Sequence, residues 1–140
     1  MTSSRAFLLS ALAGAYLGVS LQLVAASLSV PIPSSEMWAI PVLVLIYGTV
    51  ALPFVILGLA IFALPATRLL RRSARQWWVG VVAVIWGALA GKLMFLAIDR
   101  LMFFGNYDFA EISIRDIGMT YGVATAVAWW LRHRRELEYD

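Results

Sequence analysis

The chain has 140 residues, of which 62% are hydrophobic, 14% are charged and none is cysteine. Soluble globular domains are about half apolar and about a quarter charged, so this composition excludes that class and indicates a small integral membrane protein. The net charge of +3 does not predict nucleic-acid binding, because membrane topology explains the basic residues better.

Four apolar runs predict an all-α membrane protein, with four transmembrane helices in an up-down bundle that forms a single domain over residues 1–140. Each run reaches the ~20 residues of helix that a bilayer core requires. The runs cover residues 6–30, 37–64, 77–98 and 112–131.

The first run permits two interpretations. Its basic start, apolar middle and small residues at Ala25 and Ala26 outline a cleavable signal peptide. Its apolar region is longer than such segments carry, so we expect it to be retained as the first helix. Gln22, near its end, is expected to be a buried polar contact to a backbone carbonyl, Tyr47, Thr49 or Thr120, with a wet cavity as the alternative.

The second run is expected to bend at Pro53, either as a hinge or as a static feature of its shape. Ser34 or Ser35 is a candidate amino-terminal cap for this helix, and Pro65 is expected to end it. The segment that follows is rich in arginine and is interpreted as a topology anchor, with specific binding of anionic lipid as the alternative. Its arginines are Arg68, Arg71, Arg72 and Arg75.

Small residues spaced four apart predict where the helices touch. Helix association in lipid depends on close backbone approach, which small side chains allow. Such stripes occur in the first, third and fourth runs, and they are expected to join helices within one chain, with self-association as the alternative. They contain Gly14, Gly18, Gly87, Gly91, Gly118 and Gly122.

Basic residues and tryptophans predict that both termini are cytoplasmic. Eight of the basic residues fall at the amino terminus, after the second run or in the carboxyl tail, as cytoplasmic segments do. Trp77, Trp78, Trp129 and Trp130 fall at the same ends of their runs. Ten arginines against one lysine are typical of a GC-rich bacterial genome, so the expected location is the bacterial cytoplasmic membrane.

Lys92 is the only charged residue well inside an apolar run. A buried charge is costly unless it is paired or reaches water, so its ammonium is expected to meet Asp99 or Asp116. The structural interpretation is a polar clamp between the third and fourth helices. The functional alternative is a polar pathway or substrate contact that includes Lys92, Asp116 and Gln22.

The outer loop, residues 99–111, combines apolar and aromatic residues with acids. It is expected to lie in the membrane interface, fold over the bundle or receive a partner protein. Asp108, Glu111 and Asp116 match no calcium-loop spacing, so we predict no metal site there.

Function is therefore predicted only by class. No catalytic residue, cofactor or metal is predicted, because the sequence carries no convergent acid, base or phosphate-binding motif, and it favours a protein that is not an enzyme. The first hypothesis is an accessory, assembly or immunity-type membrane module acting on another membrane protein through helix and outer-loop contacts. The alternative is a small oligomeric transporter or channel with a polar route near Lys92.

Overall fold

A computed structural model describes residues 2–70, 73, 76–102, 105–113 and 115–136. Its regular structure within those residues is entirely helical, which confirms the all-α class. Three stretches of this described part of the chain are long and apolar enough to cross a membrane: Ser4–Ser27, Ala39–Ala66 and Trp77–Leu101. The α-helices in the described residues are α1 (Thr2–Ser27), α2 (Ala39–Gly58), α3 (Leu64–Leu70), α4 (Trp77–Leu101) and α5 (Ile117–Glu136).

The connection from α1 to α2 is a stiff turn. α1 ends at Ser27 rather than at residue 30, shortly before Pro31, which disfavours helix in the residue that precedes it. A 3₁₀ turn at Ser34–Glu36 follows, and α2 begins after Trp38 with no side-chain cap. The expectation that Ser34 or Ser35 caps this helix is therefore wrong.

The helix that contains α2 does not end at Pro65, so that prediction is also wrong. The backbone passes from α2 through a π-helical turn, Leu59–Ala63, into α3, where Pro65 is the second residue. A proline in a helix removes one hydrogen bond and crowds the carbonyl four residues earlier. The wider π turn directly before Pro65 relieves that crowding, and such turns are a recognised site of helix bending. Pro53 lies inside α2 without interrupting it.

The fourth helix begins later than predicted, at Ile117 rather than at residue 112. Asp116 explains the difference, because its Oδ1 accepts the backbone N–H of Met119 at 3.0 Å and so caps the first turn. α5 then runs to Glu136, beyond the predicted end at residue 131. Basic side chains in its last turn favour that extension by interacting with the helix dipole.

α5 lies between α1 and α4 and runs antiparallel to both. On the α1 side, Gly14 meets Thr125 and Gly18 meets Tyr121. On the α4 side, glycines bring backbone against backbone: a Cβ added to Gly91 would lie 2.9 Å from the carbonyl carbon of Gly118. Only glycine permits such an approach at this position.

α2 is held mainly by α1. Gly48 packs against the ring of Tyr16, whose hydroxyl lies 3.1 Å from that of Thr49. Towards α4, α2 makes only slight contact, and the Trp86 indole donates to the carbonyl of Phe62 in the π turn at 3.1 Å. An open cleft therefore separates α2 from α4 and α5.

Candidate functional site

Lys92 faces the start of α5 because the α4 and α5 backbones touch beside it. It follows Gly91, whose neighbour across the interface is Gly118. The lysine is 5% exposed, although it carries the only charge well inside an apolar run. Its position is thus set by small residues that let the helix axes approach.

The ammonium of Lys92 is paired and enclosed. Its Nζ lies 2.5 Å from Oδ2 of Asp116, and the two side chains are 7% and 2% exposed. Nζ also donates to the backbone carbonyl of Glu111. The rings of Tyr107 and Phe109 lie 5.8 Å and 5.5 Å from it, within the range of cation–π attraction. We call Lys92, Tyr107, Asp116 and the Glu111 carbonyl the Lys92 cluster.

Asp116 is held in its ionised form. Burial alone would raise the pKa of Asp116, but hydrogen bonds from Lys92, the Met119 N–H and Tyr107, together with the Lys92 charge, lower it below its ordinary value. The Tyr107 hydroxyl donates at 2.7 Å and 2.9 Å to the two carboxylate oxygens. The carboxylate therefore joins α4, the outer loop and the cap of α5 at one point.

Tyr107 folds the outer loop onto the bundle. Its ring packs against Phe95 with centroids 5.0 Å apart, and its backbone N–H donates to Asp99 at 3.3 Å. Burial, the hydrogen bond to Asp116 and neighbouring acidic charges raise the pKa of Tyr107 well above its ordinary value, so the phenol remains a donor. Asp99 is 8% exposed, and it binds this loop rather than Lys92.

Gln22 extends the polar network into α1. Its Nε2 donates to the Thr120 hydroxyl oxygen at 2.8 Å, and that hydroxyl donates to the Asp116 carbonyl at 2.8 Å. Thr120 was one of the three side-chain partners considered for Gln22 from the sequence, and it is the one that Gln22 contacts in the structure. The network links α1, α4, α5 and the outer loop.

Two adjoining cavities lie beside this network. The larger, which we call the α2 cleft, has a volume of about 680 Å³ and separates α2 and its π turn from α4 and α5. The smaller, which we call the Gln22 chamber, has a volume of about 270 Å³ and lies between α1, α2 and the start of α5. They share Tyr47, Ile117 and Tyr121 in their walls.

The remaining predicted residues do not join the cluster. Asp108 is exposed and accepts the Ala110 N–H at 2.9 Å, and in the described ranges no three acidic or histidine side chains gather as metal ligands. Arg68 is exposed, whereas Arg71, Arg72 and Arg75 lie outside the described residues.

Sequence reasoning did not single out Tyr107 as a site residue. Its position directly after the Gly105–Asn106 turn is the signal that could have pointed to it, because Gly105 adopts φ +65 and reverses the chain towards the bundle.

Chemically, this arrangement neutralises and buries its own charges and fastens the loop to the helices. It offers no free base or cation for a reaction within the part of the chain that the structure describes. The sequence matches no protein-family model, and neither the curated proteins nor the solved structures contain a significantly similar chain.

Proposed function

We propose that the chain spans the membrane four times, with α5 as the fourth span and both termini in the cytoplasm. α5 is not among the three stretches apolar enough to cross by composition. It is flanked by α1 and α4, and most of its side chains are at least partly buried, so it needs less apolar surface than a helix surrounded by lipid. The distribution of arginines supports the orientation.

The absence of cysteine makes this topology directly testable. Single cysteines replace exposed residues in each connection and in the tail: Ser34, Gln76, Asp108 and Arg135. A membrane-impermeant maleimide should label positions 34 and 108 in intact cells and positions 76 and 135 only after permeabilisation. Labelling of position 135 in intact cells would show that α5 does not cross.

Within that topology, the chain acts as a non-catalytic membrane module that works by contact with another membrane protein. The observation that carries this proposal is the internal neutralisation of Lys92. Its charge is satisfied by Asp116 and the Glu111 carbonyl, and 5% of the residue is exposed. A transport pathway would need that charge to face a water-filled route, whereas the adjoining α4–α5 interface is closed by backbone contact.

The contact surface of this module is the connection between α4 and α5 at the outer end of the bundle. The Lys92 cluster fastens the loop there, and large apolar side chains remain exposed on it: Ile112 is 84% exposed and Leu101 is 75% exposed. Side chains of this kind at one membrane-proximal end provide a surface for a partner protein.

The experiment combines crosslinking in native membranes with flux measurements in proteoliposomes. Crosslinks to one partner should map to the outer loop, and they should decrease in the variant Ile112→Asp. The control is Val30→Asp, which introduces the same charge in the connection between α1 and α2, where Val30 is 71% exposed; crosslinks should persist in this variant. The purified chain should conduct neither ions nor small solutes. A flux that Lys92→Met abolishes while the variant stays folded would instead establish the transporter.

A further inference from the structure

The α2 cleft is large enough to hold a lipid chain. Its volume is about 680 Å³ and its walls are almost entirely apolar. A chain of about 16 methylenes, each about the size of a water molecule at ~30 Å³, fills ~480 Å³. A transmembrane helix about 30 Å long and about 10 Å across occupies ~2,400 Å³, so the cleft accommodates a chain and not a helix.

The cleft extends along most of the bundle. Its lining begins near Tyr47 in the first half of α2 and reaches Leu70 at the end of α3. At the Tyr47 end it adjoins the Gln22 chamber through their shared wall. An elongated apolar space that leads into a smaller one, with an amide and two phenol side chains in its wall, matches an amphiphile, with the head at the chamber and the chain in the cleft.

The Gln22 chamber presents hydrogen-bonding groups that nothing in the described chain uses. The Thr120 hydroxyl gives its proton to the Asp116 carbonyl, so it accepts from Gln22 and leaves the Gln22 carbonyl oxygen as an acceptor. Neither Tyr47 nor Tyr121 has a side-chain hydrogen-bond partner among the described residues, and both line the chamber. One amide and two phenol side chains thus line one small space.

The head must be uncharged. No described Asp, Glu, Lys or Arg lines the α2 cleft or the Gln22 chamber. A charged head in that space would lose its hydration without gaining a counter-ion, which costs several kcal/mol. A hydroxyl or carbonyl head, by contrast, exchanges hydrogen bonds with the amide and the two phenols.

We propose that the α2 cleft and the Gln22 chamber together form a binding site for a neutral single-headed lipid, whose hydroxyl or carbonyl head sits against Gln22, Tyr47 and Tyr121. The site is separate from the outer contact surface. The site places the head near the outer ends of α1 and α5. That this is the outer side of the membrane rests on the topology proposed above; the rest of the proposal does not depend on it. Long-chain alcohols and isoprenoid ketones share this chemistry.

The test uses photoreactive probes on the purified full chain in nanodiscs. A hexadecanol with a diazirine near its chain end is compared with probes of the same chain bearing a carboxylate or a trimethylammonium head. The alcohol should label residues of the α2 cleft in preference to both charged probes. An isoprenoid ketone added as a competitor then distinguishes the two kinds of lipid. Reduced labelling by the alcohol probe would show that the site also binds ketones, and unchanged labelling would show that it binds the alcohol and not the ketone.

Two sets of variants address the two ends of the site. Tyr47→Phe and Tyr121→Phe each remove one donor, so each should reduce labelling by about 2- to 10-fold. Gly58→Leu should block the cleft, because Gly58 lines it and an added Cβ meets only Met94 Cγ, at 3.9 Å. Ala97→Leu, an exposed position on α4 outside the cleft, is the matched control and should leave labelling unchanged.

The proposal is overturned if the charged probes label the cleft as strongly as the alcohol does. It is also overturned if Gly58→Leu labels like the wild type, or if the labelled residues are spread over all lipid-facing helices. An unfolding midpoint measured for each variant separates loss of the site from loss of the fold. Cysteine labelling and crosslinking report the proposed topology and contact function independently of these results.

Discussion

Replacing Lys92 with methionine would remove one half of the ion pair between α4 and the start of α5. The two charged atoms lie 2.5 Å apart, and the side chains are 7% and 2% exposed. Methionine is one atom shorter but keeps most of the volume of the side chain, so the change is chiefly one of charge. Asp116 would keep its hydrogen bonds from Tyr107 and Met119 but would lose its cation.

The expected loss is large because the remaining carboxylate stays buried. Breaking a buried pair by removing one partner costs ~3–5 kcal/mol, whereas replacing both charges is often close to neutral. We therefore expect Lys92→Met to lower the free energy of unfolding by ~3–5 kcal/mol. The double variant Lys92→Met, Asp116→Asn should recover to within ~1 kcal/mol of the wild type.

Unfolding by SDS titration of detergent micelles, followed through the fluorescence of the six tryptophans, measures these free energies. Arg100→Met is the control, because Arg100 is an exposed cation on the same helix and its loss should change stability by less than ~0.5 kcal/mol. If Lys92→Met matched that control, or if the double variant were as unstable as the sum of the single changes, the reasoning would be refuted.

Three further outcomes are expected. Gly91→Ala should cost ~1–3 kcal/mol in the same titration, because the added Cβ meets the backbone of Gly118, while Gly58→Ala should be nearly neutral; equal effects would contradict the backbone contact. The pKa of Asp116 is lower in the folded chain than its unfolded value of about 4, so the stability that the ionised carboxylate contributes should be complete above that value and be lost as the pH falls below it. The variant Asp116→Asn should not show this loss of stability in acid. The pKa of Tyr107 is raised in the folded chain, so the fold should lose stability as the pH rises above about 10, where the unfolded tyrosine ionises. If the folded wild type showed a tyrosinate absorbance at that pH that Tyr107→Phe lacks, the raised pKa would be disproved.

Apolar run length predicted the three helices that are long and apolar enough to cross a membrane, but it was less accurate for α5. The first three runs coincide with the stretches Ser4–Ser27, Ala39–Ala66 and Trp77–Leu101, because hydropathy reports directly on contact with lipid. α5 is flanked by other helices, so its sequence is freer to carry polar residues. Its start depends on a single cap at Asp116, which hydropathy does not register.

The sequence could narrow the partner of Lys92 to two acids but could not choose between them. Both Asp99 and Asp116 lie within reach along the chain, and the choice depends on how closely α4 and α5 approach and on where Tyr107 lies. Tyr107 donates a hydrogen bond to Asp99 from its backbone N–H and another to Asp116 from its hydroxyl. Such a loop position is a tertiary property that no local pattern records.

Pro65 shows a second limit. A single proline at the end of an apolar run is a sound stop signal in isolation. Here the wider π turn at Leu59–Ala63 relieves the crowding that the proline causes, and the helix continues to Leu70. The Trp86 indole donates to the Phe62 carbonyl in that turn, a tertiary contact that the local sequence pattern does not record.

The position of α5 between α1 and α4 has a consequence for how the chain assembles during synthesis. α5 emerges from the ribosome after the other four helices, yet α4 makes most of its packing contacts with it. The hydrogen bond from Gln22 to Thr120 closes a loop of 98 residues along the chain. The glycine faces of α1 and α4 that α5 covers therefore stay uncovered until α5 has been made, and closure of the bundle is a late, long-range step.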